Sequence, residues 1–155
     1  GELVRVTGRA CVQNLPEKVA ERMIASARHE IPGLDAEKVV AQGTCPGAVL
    51  TLAAEYAGTI LGCSALGERG VSAEKVGQEA AGGLRKVIDL GGTLDPWTAD
   101  QLVTYMALAG GVSCFTVGKV SGHLASQMHL LPRFLPVSFV VGDALPHRID
   151  VISRT

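Results

Sequence analysis

Two adjacent glycines, Gly91 and Gly92, interrupt an otherwise regular alternation of strand-like and helix-like segments along this chain. Glycine pairs end helices because they contribute no side-chain packing and adopt backbone conformations that other residues avoid. The segments before the pair predict the order strand–helix–strands–helix, and those after it predict helix–strand–helix–strands. The pair therefore predicts two structural units, residues 1–90 and residues 91–155, in a chain of the α/β (α+β) class.

The first unit is predicted to be a small α/β lobe of one sheet and two helices. Residues 3–12 alternate in strand fashion, and further strands are predicted over residues 37–42, 48–55 and 59–65. Pro16 suits the first turn of a helix because its missing N–H costs little there. Apolar stripes at helical spacing mark the two helices: Val19, Ala20, Met23, Ile24 and Ala27, then Val76, Ala80, Leu84, Val87 and Ile88.

The second unit is predicted to be shorter and less able to stand alone. Its predicted elements are helix, strand, helix and two strands, over residues 99–109, 113–120, 122–131, 137–142 and 147–153. A core this small rarely supplies more than a few kcal/mol. We therefore expect this unit to pack against the first unit, a missing stretch of chain, or a second subunit such as the partner in a homodimer.

Composition limits the classes of partner. Of the 155 residues, 47% are hydrophobic, which is enough for a sizeable core. The 14 Lys and Arg residues are balanced by 15 Asp and Glu residues, so no overall positive field favours nucleic acid and any RNA contact must be local. Arg5, Arg9 and Arg69 could each contact an RNA phosphate, although scattered arginines on such a lobe are usually solvated.

Cysteine spacing and hydropathy favour a cytoplasmic protein without a membrane segment. The four cysteines show neither CxxC nor Cys/His ligand spacing, which predicts mostly buried thiols in a reducing compartment. Cys114 lies within an apolar predicted strand, where burial would make it unreactive. Residues 48–66 form the most apolar stretch, but Glu55 and Gly58 interrupt it, and no basic and apolar leader opens the chain.

The segment Val120–Leu124 places His123 on the first turn of a predicted helix. A helix start has unpaired backbone N–H groups and a partial positive charge, so it attracts phosphate and disfavours an imidazolium. A histidine in this position therefore favours its neutral, nucleophilic form. The alternative is a histidine that only packs or caps at the helix end, and for an isolated histidine that alternative is the more common.

An acidic, an amide and an aromatic residue lie together on the preceding predicted helix. Asp100 and Gln101 could be site residues, or equally a first-turn carboxylate that complements the helix dipole and a solvated amide. Trp97, the only tryptophan, could stack on a base or fill a core or hinge position. Asp95 is the nearest second carboxylate but is not at ligand spacing, so a divalent metal would be held mainly by phosphate oxygens and water.

With those residues in view, the chain resembles the C-terminal half of the RNA 3′-terminal phosphate cyclase family. Four segments carry the resemblance, in order and at family-like spacing: residues 14–22, 66–74, 99–102 and 122–124. The resemblance implies a core of repeated βα units with a small α/β lobe inserted before its last part. Residues 1–90 would then be the inserted lobe, and residues 91–155 the end of the core.

The resemblance also implies a reaction. Members of this family use ATP and Mg²⁺ or Mn²⁺ to convert an RNA 3′-phosphate end into a 2′,3′-cyclic phosphate. A histidine takes AMP from ATP, the AMP passes to the RNA phosphate, and the adjacent 2′-OH displaces it. By this resemblance His123 is the adenylylated histidine, Gly122 lies in the same nucleotide-binding segment, Asp100 and Gln101 line the nucleotide pocket, and Trp97 stacks on the adenine.

The chain departs from the family pattern in two ways. Ser126 and Gln127 stand where the family usually has Thr-Asn. The hydroxyl and the amide groups are therefore retained, but on side chains of different size. The N-terminal half of the core, which supplies an acidic residue and several arginines to the family's site, has no counterpart here. We therefore expect the chain alone to be inactive or weak, and to need that half or a second subunit.

A non-catalytic role is the alternative function. The chain could be a module that binds nucleotide or protein, as do relatives that serve ribosome assembly. Those relatives tend to lack the nucleophilic histidine, so the presence of His123 favours the enzyme lineage, whereas the absent N-terminal half of the core favours binding without turnover.

Overall fold

The computed structural model describes residues 1–154, which form two compact units. The first unit is Gly1–Lys86, and the second begins at Val87. Each contains both helix and sheet, which confirms the predicted α+β class. None of the helices within residues 1–154 is long and apolar enough to span a bilayer.

The chain up to Leu90 contains a four-stranded sheet and two helices. Its elements are β1 (Leu3–Gln13), α1 (Glu17–Glu30), β2 (Asp35–Ala41), β3 (Gly47–Tyr56), β4 (Ile60–Leu66) and α2 (Ala73–Leu90). The strand order is β2-β1-β3-β4, with β1 and β2 parallel and the other neighbouring pairs antiparallel. Parallel neighbours need a crossover connection, which α1 supplies.

The core of this unit lies between the sheet and its helices. Alternate residues of β3, Leu50, Leu52 and Ala54, are fully buried, as expected for a strand with one covered face. Burial of each leucine side chain contributes about 1.5–3 kcal/mol. The predicted apolar stripe of α1 is confirmed at Ala20, Met23, Ile24 and Ala27, and Val19 is half-buried.

The second unit is a three-stranded sheet with two helices. Its elements are α3 (Pro96–Leu108), β5 (Gly111–Val117), α4 (Gly122–Leu130), a 3₁₀ turn (Leu131–Arg133), β6 (Val137–Val141) and β7 (His147–Ser153). The strand order is β5-β7-β6, and both pairs are antiparallel. Two predicted bounds are wrong by three residues: α3 begins at Pro96 rather than Ala99, and β5 ends at Val117 rather than Val120.

The core of the second unit draws on both helices and all three strands. Its buried residues are Ala99, Val103, Ala107, Phe115, Val117, Leu124, Val137, Ile149 and Val151. The buried Ser153 hydroxyl donates a hydrogen bond of 2.7 Å to the carbonyl oxygen of Ala107, which ties β7 to α3. This packing fixes α3 against the sheet and leaves its outer side to solvent.

The glycine pair ends α2 as its sequence predicts. Gly91 and Gly92 have φ angles of +70° and +125°, a region that residues with a Cβ rarely adopt. The backbone therefore leaves the helical path directly after Leu90.

Three of the four cysteines are less buried than the sequence predicts. Cys63 is buried, Cys11 is half-buried, and Cys45 and Cys114 are exposed. Cys114 lies on β5 beside the buried Phe115, and alternation along the strand turns Cys114 to the opposite, exposed face. The prediction of a buried Cys114 was therefore wrong.

An ion pair between the helices of the first unit gives an acid-sensitive contact. The Arg22 Nε and Nη2 atoms donate to the two Glu74 carboxylate oxygens at 2.6 and 2.8 Å. These bonds, and smaller contributions from the Glu74 backbone N–H and the Ser72 hydroxyl, lower the pKa of Glu74 to about 2.

A Glu74→Gln variant should lose part of the acid sensitivity of the first unit. Because the folded-state pKa is depressed, the stabilisation is complete above about pH 4.5, and it is lost as the pH falls towards 2. Urea unfolding at a series of pH values should show E74Q less stable than wild type near neutral pH and equal to it near pH 2. Glu68→Gln is the matched control, since Glu68 forms none of the ion pairs found within residues 1–154. A wild-type slope retained by E74Q would contradict this role.

Candidate active site

His123 lies on the first turn of α4, as its sequence predicts, and it is exposed. The N-cap is Ser121, whose Oγ accepts a hydrogen bond of 3.0 Å from the backbone N–H of Leu124. Leu124, the next residue, is fully buried and anchors the helix in the core. The alternatives of a packed or capping histidine are therefore wrong, because Ser121 caps the helix and Leu124 packs it.

The start of α4 also presents backbone donors. Helix geometry leaves the N–H groups of Gly122 and His123 without intrahelical acceptors. A Cβ placed on Gly122 would meet no atom within 4 Å, so the space beside this peptide is open. An exposed imidazole next to open backbone N–H groups is a suitable arrangement for a phosphate group.

Asp100 of α3 is buried and forms a hydrogen bond to the start of α4. It does not lie exposed at the start of α3. It is only 8% exposed, and its Oδ1 accepts a hydrogen bond of 2.7 Å from the Ser121 hydroxyl. The alternative of a first-turn carboxylate is wrong, because α3 begins at Pro96 and Asp95 is its N-cap, accepting from the Thr98 N–H at 2.8 Å. One side chain thus links the second turn of α3 to the cap of the helix that carries His123.

Gln127 makes a second link between the same helices. Its Nε2 donates to the backbone carbonyl of Asp100 at 2.9 Å, and its Oε1 accepts from the Thr104 hydroxyl at 2.9 Å. Ser126 instead turns back on its own helix and donates to the carbonyl oxygen of Gly122 at 2.8 Å. Of the two residues that depart from the family pattern, only Gln127 therefore joins α4 to α3.

Trp97 and Gln101 lie on the outer side of α3. Trp97 is 56% exposed, so the alternative of a core-filling indole is wrong. Gln101 is also exposed, one turn further along the same helix face. The described hydrogen bonds bring Asp100 to the start of α4 but connect neither Trp97 nor Gln101 to it, so their place in a nucleotide pocket stays a prediction.

Charged groups elsewhere differ in how far they are neutralised. Arg5 pairs with Glu55 at 2.7 Å and Arg9 pairs with Glu37, so both predicted RNA contacts are engaged with carboxylates on neighbouring strands. Arg69 is exposed in the loop before α2. Within residues 1–154, no three His, Cys, Asp or Glu side chains come together as a metal site.

Sequence reasoning assigned no role in joining the helices to three of the residues that organise the site. Ser121 carried a signal, because serine directly before a helix is a preferred N-cap. Thr104 carried none, and Gln127 was marked only by its departure from the family pattern, since a polar pair contributed by two helices becomes visible only when the helices are packed. All three surround Asp100, which the sequence did single out.

Comparison with known proteins identifies the family of this α+β chain. Residues 1–89 match the model of the RNA 3′-terminal phosphate cyclase (RTC) insert domain. The chain belongs to the RNA 3′-terminal phosphate cyclase family.

Relatives named RNA 3′-terminal phosphate cyclase match most of the chain. The relative from Pyrobaculum neutrophilum is 40% identical over 96% of this chain and 45% of its own length. Those from Nitrosospira multiformis and Salmonella agona are 42% and 33% identical, over 88% and 93% of this chain and 40% and 42% of their own lengths. The chain thus spans less than half the length of these curated relatives.

Loss of the Asp100 carboxylate should destabilise the second unit. Asp100→Ala leaves the Ser121 hydroxyl without its acceptor, and a hydrogen bond to a charged acceptor contributes about 1.5–3 kcal/mol. Asp100→Asn keeps an oxygen acceptor and should cost less. Urea unfolding should show this order, with the exposed Asp143→Ala control within about 0.5 kcal/mol of wild type. Equal stability of D100A and D143A would contradict the assignment.

Proposed function

We propose that this chain is part of a cytoplasmic, ligase-type enzyme that cyclises RNA 3′-phosphate ends at the expense of ATP, with His123 as the nucleophile. The observation that carries the proposal is the exposed His123 on the capped first turn of α4, beside the open backbone at Gly122. Family membership supports the reaction class.

The first step would join AMP to the His123 ring. A neutral ring nitrogen attacks the α-phosphorus of ATP, a nitrogen–phosphorus bond forms, and the bond to the departing pyrophosphate breaks. The N–H groups of Gly122 and His123 could donate to the phosphoryl oxygens on which charge accumulates. Hydrogen bonds from a capped helix start need no reorganisation during the reaction.

The later steps would use RNA as the second substrate. An oxygen of the RNA 3′-phosphate attacks the histidine-bound AMP and frees the imidazole, giving an activated RNA end. The adjacent 2′-OH then attacks that 3′-phosphorus, loses its proton and expels AMP. The products are the 2′,3′-cyclic phosphate end, AMP and the earlier pyrophosphate.

Other residues would bind the nucleotide rather than react. Trp97 offers an exposed aromatic face to the adenine, and Gln101 an exposed amide on the same side of α3. Asp100 would not contact the nucleotide; through its hydrogen bond from Ser121 it would hold the first turn of α4 in position. A Mg²⁺ or Mn²⁺ ion would be held mainly by the ATP phosphates and water, as is usual for magnesium nucleotides.

The proposal also requires a partner for the second unit. Large apolar side chains stand exposed there: Tyr105, Leu108, Val112 and Phe134 are 54–80% exposed. Apolar side chains in this number favour association, because their burial releases free energy. The family's N-terminal half is the proposed partner, and a second copy of the chain is the alternative.

Transfer of label from ATP tests the proposal. The chain is incubated with Mg²⁺ or Mn²⁺ and ATP labelled at the α-phosphate, alone and with the N-terminal half of the Pyrobaculum neutrophilum relative supplied in trans. We expect acid-labile label on the chain, at least in the mixture, because a phosphorus–nitrogen bond hydrolyses in acid. His123→Ala should abolish the label, and His129→Ala, an exposed histidine in the last turn of the same helix, should keep it.

The outcomes separate the candidate functions. Label that persists in H123A would contradict the assignment of the nucleophile. Binding of ATP without label in either setting would favour the non-catalytic module.

Removal of the indole should weaken ATP binding. Stacking of a base on an aromatic side chain contributes about 1–3 kcal/mol, so Trp97→Ala should raise the Kd for ATP roughly 5- to 150-fold, and Trp97→Phe should raise it less. Calorimetric titration of the mixture measures both. Ile60→Ala, which removes a similarly exposed apolar side chain from β4 of the first unit, is the control and should bind as wild type does. Wild-type affinity in W97A would contradict the stacking role.

A further inference from the structure

We infer that Gln127, together with Thr104, is a positioning residue that sets the orientation of α4 and hence of His123. The inference rests on the proposed function of His123 and adds two residues that the resemblance does not assign. The observation that carries it is the pair of hydrogen bonds through which the Gln127 side chain spans from α4 to two points on α3.

Both polar atoms of the Gln127 amide form hydrogen bonds, one as a donor and the other as an acceptor. Nε2 can only donate, and it faces the Asp100 carbonyl; Oε1 can only accept, and it faces the Thr104 hydroxyl. Gln127 and Thr104 are both half-buried, so water competes less for these bonds than it would at an exposed site. An apolar residue of the same length could fill this space but could not make either bond.

Two hydrogen-bonded attachments at separate points along α4 limit its rotation against α3, whereas a single attachment would leave it free to pivot. The first attachment joins Ser121, at the cap, to the Asp100 carboxylate; the second joins Gln127, more than one turn later, to the Asp100 backbone and Thr104. Leu124 lies between them in the core, but the hydrophobic effect is non-directional, so its burial selects an orientation less specifically than the hydrogen bonds do. The hydrogen bonds therefore determine which way the first turn faces.

His123 has no anchor of its own in the core, because it is exposed. Its orientation follows that of the helix backbone, and a nucleophile must approach the phosphorus in a defined geometry. Misplacement by about 1 Å can cost roughly 100-fold in rate. Loosening of the Gln127 link should therefore slow transfer to His123 more than it weakens ATP binding.

Isosteric changes at Thr104 test the inference. Thr104→Val removes the hydroxyl and keeps the shape, and Thr104→Ser keeps the hydroxyl and should restore the link. Gln127→Met removes both bonds at similar length. Gln78→Met, at an exposed glutamine of α2, is the matched control.

The first readout uses the chain itself and needs no activity. NMR of the folded chain should show faster amide exchange at Leu124 and Ala125, and shifted His123 ring signals, in T104V and Q127M. T104S and Q78M should match wild type. Wild-type exchange and ring signals in T104V and Q127M would overturn the inference, whether or not the chain accepts label from ATP.

The second readout separates positioning from binding in the labelled mixture. In T104V the maximal rate of label transfer to His123 should fall about 10- to 100-fold. The ATP concentration for half-maximal rate should change less than about threefold, and T104S should recover the rate. An unchanged rate, or a loss confined to ATP affinity, would overturn the positioning role. Absence of label in wild type would instead contradict the proposed function, and the NMR comparison would still decide whether Gln127 orients the helix.

Discussion

A hydrogen bond of 2.7 Å between the Ser121 hydroxyl and the Asp100 carboxylate joins the two helices of the second unit. Ser121 is also the N-cap of α4. Its hydroxyl oxygen accepts a hydrogen bond from the Leu124 N–H, and the same hydroxyl donates a hydrogen bond to Asp100. The carboxylate therefore polarises and holds the cap of the helix on which His123 stands. If this contact were lost, the position of every group at the helix start would become less defined.

The candidate site thus depends on a residue that is itself buried. Asp100 is buried and engaged, whereas His123, Gly122, Gln101 and Trp97 are exposed. This division suits a phosphate-binding helix start, because a bare carboxylate close to a nucleotide would repel it. A carboxylate beneath the cap supports the helix without presenting its charge directly to the phosphates.

Much of the secondary structure could be predicted because it follows local patterns. The stripe of α1 at Ala20, Met23, Ile24 and Ala27 repeats at helical spacing and is buried. The start of α3 was predicted late, although Asp95 and Pro96 form a recognisable cap and first position. The strand orders of the two sheets are not local properties, since they depend on which strands pair across distant parts of the chain.

The candidate site could be predicted only in part, for the same physical reason. The helix pattern after His123 predicts its place on the first turn, and Trp97 and Asp100 stand out as an aromatic and an acidic residue on the preceding helix. The burial of Asp100 depends on Ser121, 21 residues away, and the Gln127 contacts span a similar separation. Cys114 shows the converse error, because an apolar strand does not reveal which of its faces is covered.

A double-mutant cycle between Asp100 and Ser121 tests the central contact most directly. The free energies of unfolding of wild type, Asp100→Ala, Ser121→Ala and the double variant give the energy of the pair separately from the loss of each side chain. We expect a coupling of about 1–2 kcal/mol, so that the double variant is clearly less damaged than the sum of the single changes. Strict additivity of the two single changes would show that the carboxylate and the cap act independently, and would contradict this account.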